Sequence, residues 1–452
     1  MSCKHKVLQL DPSPFAELAG YAQPNATIRA AAETTSGRVP KSFVDHSTQI
    51  FPAPLVLPHD ELNYDPDCSV QSVKSWSQEK ARNKLGKGDR RDTLYIARVP
   101  DISKEVEFMS EWTVPTGFQD EDEMVEGRME SPGADFFVEY LRAFYHGMDV
   151  RILPSPLSWT SWSTSKKAST ATRPSRGAAL PKYIGLCDSS TKNVTRIRVR
   201  RPPDSIFSAQ LNLNDILDTA ISILPADAYA LLLLVDHDIY ENEEDDFCCG
   251  RAYGGSRVAV VQTARYNPTL DEKEGIDRAH MWPMSHCKIF VDGLCSVEDV
   301  VPKPASKRQA ALSKTGAMRK AVDAASSYTP ITGKQDEIRA LWFTRLARTT
   351  SHELGHCFGI AHCTYYACNM QGCAGMKEDM RQPSHVCPVC ESKVGHAVAV
   401  ELRDGQDKDI GEWVQERNEA LKSFCEGLEV RECDSAMWRG LMAWLEARLE
   451  EL

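Results

Sequence analysis

Residues 352–390 read HELGHCFGIAHCTYYACNMQGCAGMKEDMRQPSHVCPVC, and the reading of this stretch decides how the rest of the chain is understood. It holds four histidines and six cysteines in thirty-nine residues, most of them at metal-ligand spacing. His352 and His356 stand four apart, so on a helix they share a face and can offer two imidazole nitrogens to one cation. Glu353 points to the side, which suits it to take a proton from a water on that cation rather than to ligate it. Gly359 can adopt the positive φ that ends a helix. His362 can then swing back and complete a three-histidine set. Three neutral imidazoles leave the charge of Zn²⁺ intact with one position open, and bound water falls from a pKa of about 15.7 to about 7.

The cysteines form a second set. Cys363 with Cys368, and Cys387 with Cys390, are two close pairs joined by a loop, an arrangement suited to closed tetrahedral zinc. Two disulfides or four unrelated buried thiols are the other ways to read them. Disulfides fit poorly with a chain that begins MSCKHKVLQLDPSPFAEL, which lacks an apolar core of signal-peptide length.

H-E-x-x-H-x-x-G-x-x-H is the metzincin pattern. With Cys363 directly after the third histidine, then Cys368-Asn369-Met370 and Cys387-Pro388-Val389-Cys390, the stretch resembles the archaemetzincins. The resemblance covers about residues 50–395, with its specific motifs in 352–390. It implies a catalytic zinc on His352, His356 and His362, with Glu353 as general base. It also implies a structural zinc on Cys363, Cys368, Cys387 and Cys390, and Met370 at the Met-turn beneath the histidines. Sixteen residues separate Met370 from Cys387, one fewer than the family pattern, a difference that a loop absorbs. Cys357, Cys373 and His385 fall outside the pattern and read as a buried thiol, a loop thiol and a surface imidazole. Cys373 or His385 could displace a ligand in a rearranged site.

Composition narrows the partners. The 452 residues carry 53 basic and 64 acidic side chains, a formal charge of −11, which argues against nucleic acid. The longest aliphatic run, Ala230 to Val235, is too short to span a membrane. Fifteen cysteines without a signal peptide point to a reducing, cytoplasmic setting. The expected partner is a peptide or protein substrate, met by a monomer.

Along the chain, residues 1–50 lack a sustained period and are expected to be a disordered N-terminal segment, followed by an extension over 51–90. A catalytic domain over 91–452 is expected to begin with a β-α-β unit: a strand at Thr93 to Val99, a helix at Ala134 to His146, a strand at Val150 to Leu153. Residues 155–182 and 302–335 read as loop insertions, and 119–130 as an acidic loop. Arg196 to Arg201 alternates charge with aliphatics and reads as an edge strand, with a phosphate-binding face as the alternative. Gln210 to Leu224 has helical spacing, and Tyr229 to Leu234 suits a strand buried on both faces. Asp236 to Asp246 reads as a solvated strand-end loop, residues 280–287 as a packed loop, and Lys288 to Asp292 as a short strand. The helix carrying His352 is expected to begin near Asp336, and a last helix to follow Ser435.

The expected fold class is α/β and, as the resemblance implies, metzincin-like. A twisted mixed sheet with packing helices would lie above a zinc-binding active-site helix, with a mostly helical C-terminal subdomain. An edge strand near Arg257 would line the cleft and bind extended peptide by strand addition. The expected function is zinc-dependent peptide hydrolysis with two Zn²⁺, one catalytic and one structural. The alternatives are a non-catalytic, zinc-stabilised protein-binding module, which has no need of Glu353, and an adaptor built on the four cysteines.

Overall fold

Ala228–Val235 reads AYALLLLV, and every residue of it is buried. A strand without polar alternation must be covered on both faces. In the computed structural model of this chain it is the middle strand of a five-stranded sheet. The structure describes residues 4–41, 48–66, 68, 70–86, 91–116, 129–162, 180–296, 300–329, 333–431 and 433–452.

In chain order the strands are β1 (Thr93–Ala97), β2 (Asp101–Ile102), β3 (Asp149–Ile152), β4 (Leu157–Ser161), β5 (Tyr183–Asp188), β6 (Val194–Arg200), β7 (Gln210–Asn212), β8 (Ala228–Val235), β9 (Ile239–Tyr240), β10 (Gly250–Tyr253) and β11 (Val258–Gln262). The five-stranded sheet has the order β10-β11-β8-β1-β3. Its pairs are parallel except β10 with β11, and β10 is an outer strand. The Ala134–Phe144 helix connects β1 to the parallel β3 as the hydrophobic period required. A second, six-stranded sheet runs β2-β4-β5-β6-β7-β9.

The period of two along a strand sorts the core. Leu94, Ile96, Ala230, Leu232, Leu234, Ala259 and Val261 join the larger core, which includes Leu346 and Leu354 of the Lys334–Cys357 helix. Their neighbours Tyr95, Ala97, Leu231, Leu233, Val235, Val258 and Val260 face the other way. They meet Trp159, Leu186 and Ile197 of the second sheet and Ile216 and Leu217 of the Leu213–Ser222 helix. The helix bearing the candidate donors therefore lies on one face of the first sheet, against β10 and β11.

Several expectations are corrected. Residues 1–50 are not a disordered segment where described: Leu8 and Leu10 are buried, and Leu8 bridges antiparallel to Cys287. Gln9 N–H donates to His286 O at 2.7 Å, and Ala53 N–H to Leu10 O at 2.9 Å. Such an arm is held by isolated apolar anchors and main-chain bonds to distant residues, so it leaves no local period to read. Phe51 and Trp76 of the extension lie in the larger core. Within 155–182, Leu157 and Trp159 of β4 are buried, so this part is sheet, while 163–179 lie outside the described residues. Most of the acidic 119–130 stretch lies outside them too. β6 is interior rather than an edge, paired with β5 and β7. Its Arg198 is paired with Asp215 at 2.9 Å and Arg200 donates to Gln210 at 2.9 Å, so these guanidiniums serve the chain's own packing.

Of the expected solvated loop after β8, residues 242–244 are exposed, but its start holds a buried ion cluster: Asp238 is fully buried and takes the Arg265 guanidinium, which also reaches Asp204. Lys288–Cys295 is a helix, since Val291 and Cys295 share a face against Leu55 and Leu57, a pairing that a five-residue window cannot show. Residues 302–335 are largely helical, at Lys307–Leu312 and Ala317–Ser327. Ala317, Ala321 and Ala325 are buried, and the second of these helices packs on the C-terminal Ala436–Leu449 helix. Small residues allow that close approach and so gave no large-apolar signal. Residues 330–332 lie outside the described ones. Ser435 caps the last helix through Trp438 N–H, as expected. Among the described residues no helix is long and apolar enough to cross a membrane.

Candidate metal centre

The Lys334–Cys357 helix is fixed before it reaches the donors. Ile338, Leu341, Trp342 and Leu346 are buried along it. Trp342 Nε1–H donates to Thr263 O at 2.8 Å, and the Arg345 guanidinium forks onto the Asp271 carboxylate at 2.8 and 2.7 Å. Arg348 pairs with Asp379 and donates to Gln382 Oε1 at 2.9 Å. Residues 352–356 thus ride on a helix anchored by sheet and loops. It begins at Lys334, after Gly333, two residues before Asp336.

His352 Nδ1–H donates to Asn369 O, and His356 Nδ1–H to Ile360 O, each at 2.7 Å. A carbonyl oxygen only accepts, so both protons sit on Nδ1 and both Nε2 atoms are bare lone pairs. Those atoms face each other at 3.1 Å. Two acceptors aimed at one point with no proton between them are a place for a cation. His362 joins them, and the three donor atoms lie within 4.8 Å of one another. Burial holds all three imidazoles neutral: it pulls His352 well below its ordinary pKa, His356 down to about 4, and His362 down, with the neighbouring imidazoles or Arg251 adding to it.

The turn that returns His362 is made at Gly359, at φ +74°, where a side chain would be strained. Gln71 clamps it from the extension: its amide donates to Gly359 O at 2.9 Å, and its oxygen accepts from Ala361 N–H at 3.0 Å. Gln71 carries no sequence signal, because its partners are about 290 residues away and the contact exists only in the fold. Met370 lies against the helix backbone at Gly355, so closely that a Cβ there would stand 2.5 Å from its Sδ.

Glu353 is buried beside Gly250 of the outer strand β10. Burial pushes its carboxyl up to about 8, against the pull of Arg251 and Arg348. A divalent cation on the adjacent imidazoles would draw it back down.

Cys363, Cys368, Cys387 and Cys390 bring their four sulfurs within 4.8 Å of one another, all buried. They are unbridged thiols, with Cys363 and Cys387 Sγ 3.4 Å apart. Main-chain N–H groups of Cys387 and Met370 donate to Cys368 Sγ at 3.2 and 3.4 Å. Hydrogen bonds from the other three thiols hold Cys363 well below the usual thiol range, while burial pushes Cys368 and Cys387 up. Four sulfurs in a sealed pocket with amide donors around them suit a tetrahedral, closed metal site.

Cys357 is buried and Cys373 half-buried, and neither belongs to either set. His385, expected at the surface, is buried and stacked on Trp444 with ring centroids 4.0 Å apart, because the C-terminal helix folds over it. Tyr365 and Tyr366 are both buried; the Tyr366 ring lies under Arg29, and Tyr365 O accepts from Gln23.

The scaffold is mixed α/β, and its three-histidine donor set stands in the metzincin sequence pattern. Residues 327–396 match the family model described as peptidase family M54. Archaemetzincin-2 of Homo sapiens is 25% identical over 238 residues, 52% of this chain and 54% of that protein. Archaemetzincin-1 of Mus musculus is 26% identical over 235 residues, 50% of this chain and 39% of that protein. The solved archaemetzincin from Methanopyrus kandleri is 15% identical, with a TM-score of 0.31, covering 69% of this chain and 98% of that one. The chain is thus similar to the archaemetzincins over about half its length, with the peptidase family M54 match confined to residues 327–396. It spans about half the length of the human relative it matches.

Proposed function

We propose that the protein is a zinc-dependent peptidase whose catalytic metal is held by His352, His356 and His362. The observation that carries this reading is the pair of bare Nε2 atoms facing each other at 3.1 Å, both fixed by carbonyls behind them. Bound there, Zn²⁺ supplies Lewis acidity and a water made acidic enough to attack at neutral pH. Glu353 is the general base: it takes the proton of the attacking water and delivers it to the leaving amine. Its place against Gly250 puts it beside β10, where an extended peptide can add as a further strand through main-chain bonds. Met370 supports the helix under the histidines. Cys363, Cys368, Cys387 and Cys390 hold a second, structural zinc.

In this reading residues 91–452 form the catalytic unit and the extension docks on it, as the Gln71 clamp supports. The substrate is a peptide or protein, the enzyme is a monomer, and the unbridged thiols of the four-cysteine set fit a reducing, cytoplasmic compartment. The test is Glu353→Gln. Zinc content should match the wild type while peptide hydrolysis falls about 10²–10⁴-fold. Full hydrolysis by this variant would remove Glu353 from the mechanism, and a wild type that binds peptide without cleaving it would favour a binding module.

A further inference from the structure

The sequence sets His280 near His286 and Cys287; the fold keeps His280 and Cys287 together, leaves His286 out, and brings in His5 from the N-terminal arm. His286 is fully buried next to Ser285, which lies 3.3 Å from its Nδ1. His5, His280 and Cys287 instead bring one donor atom each within 4.8 Å of one another.

Their orientation is that of ligands. His280 Nδ1 lies 2.7 Å from Asp277 Oδ2, so the carboxylate holds the proton on Nδ1 and leaves Nε2 a lone pair. The ring is stacked on Phe290 with centroids 4.1 Å apart, which fixes where that lone pair points. His280 Nε2 and His5 Nδ1 are both buried without a hydrogen-bond partner. His5 is nine-tenths buried, at 9% exposure, and the two rings meet edge to face at 5.3 Å. Cys287 is fully buried. Its position is registered against the N-terminal arm by the Leu8 bridge and by Lys288 N–H, which donates to Val7 O at 2.9 Å. His5 stands at φ +39°, unusual for a residue other than glycine, and Arg319 holds it there by donating to His5 O at 2.7 Å. Arg319 is itself paired with Asp323 at 2.6 Å, which offsets its charge near the cluster.

Two aimed imidazole nitrogens left unsatisfied, together with a buried sulfur, form a borderline-soft donor set. We propose that His5 Nδ1, His280 Nε2 and Cys287 Sγ bind a Zn²⁺ ion, a site separate from residues 352–390 that fastens the N-terminal arm to the 280–288 loop. Asp277 positions His280 for it.

The experiment is a zinc count on the purified full chain, comparing wild type with His5→Gln and His280→Gln after equilibration with Zn²⁺ and removal of excess. His5→Gln leaves the Arg319 bond to the main chain intact, so it is the milder change. Cys287 is left in place, because it is fully buried and replacing it would disturb the packing along with the donor set. Each variant is expected to hold one zinc equivalent less than the wild type, with an unchanged far-ultraviolet circular dichroism spectrum. The difference between chains is what is read, so the outcome does not depend on whether the 352–390 sites fill. A His352→Ala,His5→Gln double variant should lose the two increments additively. Equal zinc in wild type and both single variants overturns the site.

Discussion

The two donor sets of residues 352–390 share one short stretch and are mounted in opposite ways. The histidine set is open: His352 is buried, whereas His356 and His362 are half-buried. The cysteine set is closed, with all four residues buried. Yet the open set depends on the closed one. His362 and Cys363 are adjacent and send their side chains to different sets. Asn369, whose carbonyl fixes His352, lies next to Cys368, and Cys363 N–H donates to Met370 O at 2.7 Å. A sealed cysteine site can hold two of the three histidines in place without touching the reaction, and that asymmetry can be tested.

Removing a ligand from the closed set should have the largest effect. Structural zinc contributes apparent binding energies of about 10–16 kcal/mol in zinc-finger peptides, against total stabilities of about 5–15 kcal/mol for a domain. Cys390→Ala is therefore expected to abolish cooperative thermal unfolding along with activity. A variant that melts normally would mean the four thiols need no metal. Next comes His356→Ala, expected to lose one zinc and all hydrolysis while unfolding cooperatively, with stability changed by at most about 3 kcal/mol. If its unfolding collapsed as in Cys390→Ala, the division into open and closed sites would fail. A gentler version uses a chelator: activity should be lost first with one zinc removed, and the second zinc should leave only as the protein unfolds. Simultaneous loss of both metals would merge the two sites into one.

The features legible in the sequence are those encoded at short range. Helical spacing placed His352 and His356 on one face, Gly359 marked the turn, and unbroken apolarity marked β8 as a covered strand. What escaped was set by distance. His385 gives no local sign of the Trp444 ring that covers it, His5 gives none of Cys287, and the alanine face at 317–325 becomes a core only against the last helix. β6 looked like an edge because its outward arginines alternate with aliphatics, and only the fold shows β5 and β7 on either side of it. Long-range polar contacts leave no period, so a reading built on periods passes over them.

The smallest effect expected is also the sharpest test of whether the extension tunes the open set alone. Gln71 is half-buried and uses both ends of its amide on the turn that carries His362, accepting from Lys393 Nζ at 2.8 Å as well. In Gln71→Ala the Gly359 carbonyl and the Ala361 N–H lose their partners. Lys393 keeps the main-chain carbonyl of residue 71, also at 2.8 Å. Leaving two partly buried main-chain groups unpaired should cost about 1–3 kcal/mol, seen as a modest fall in Tm. Because the bonds lost are at the histidine turn and none reaches a cysteine ligand, zinc affinity at the open set should weaken while the closed set keeps its metal. A variant that lost the cysteine-bound zinc first would show that strain at the turn passes through His362 into Cys363, and that the two sets respond as one unit.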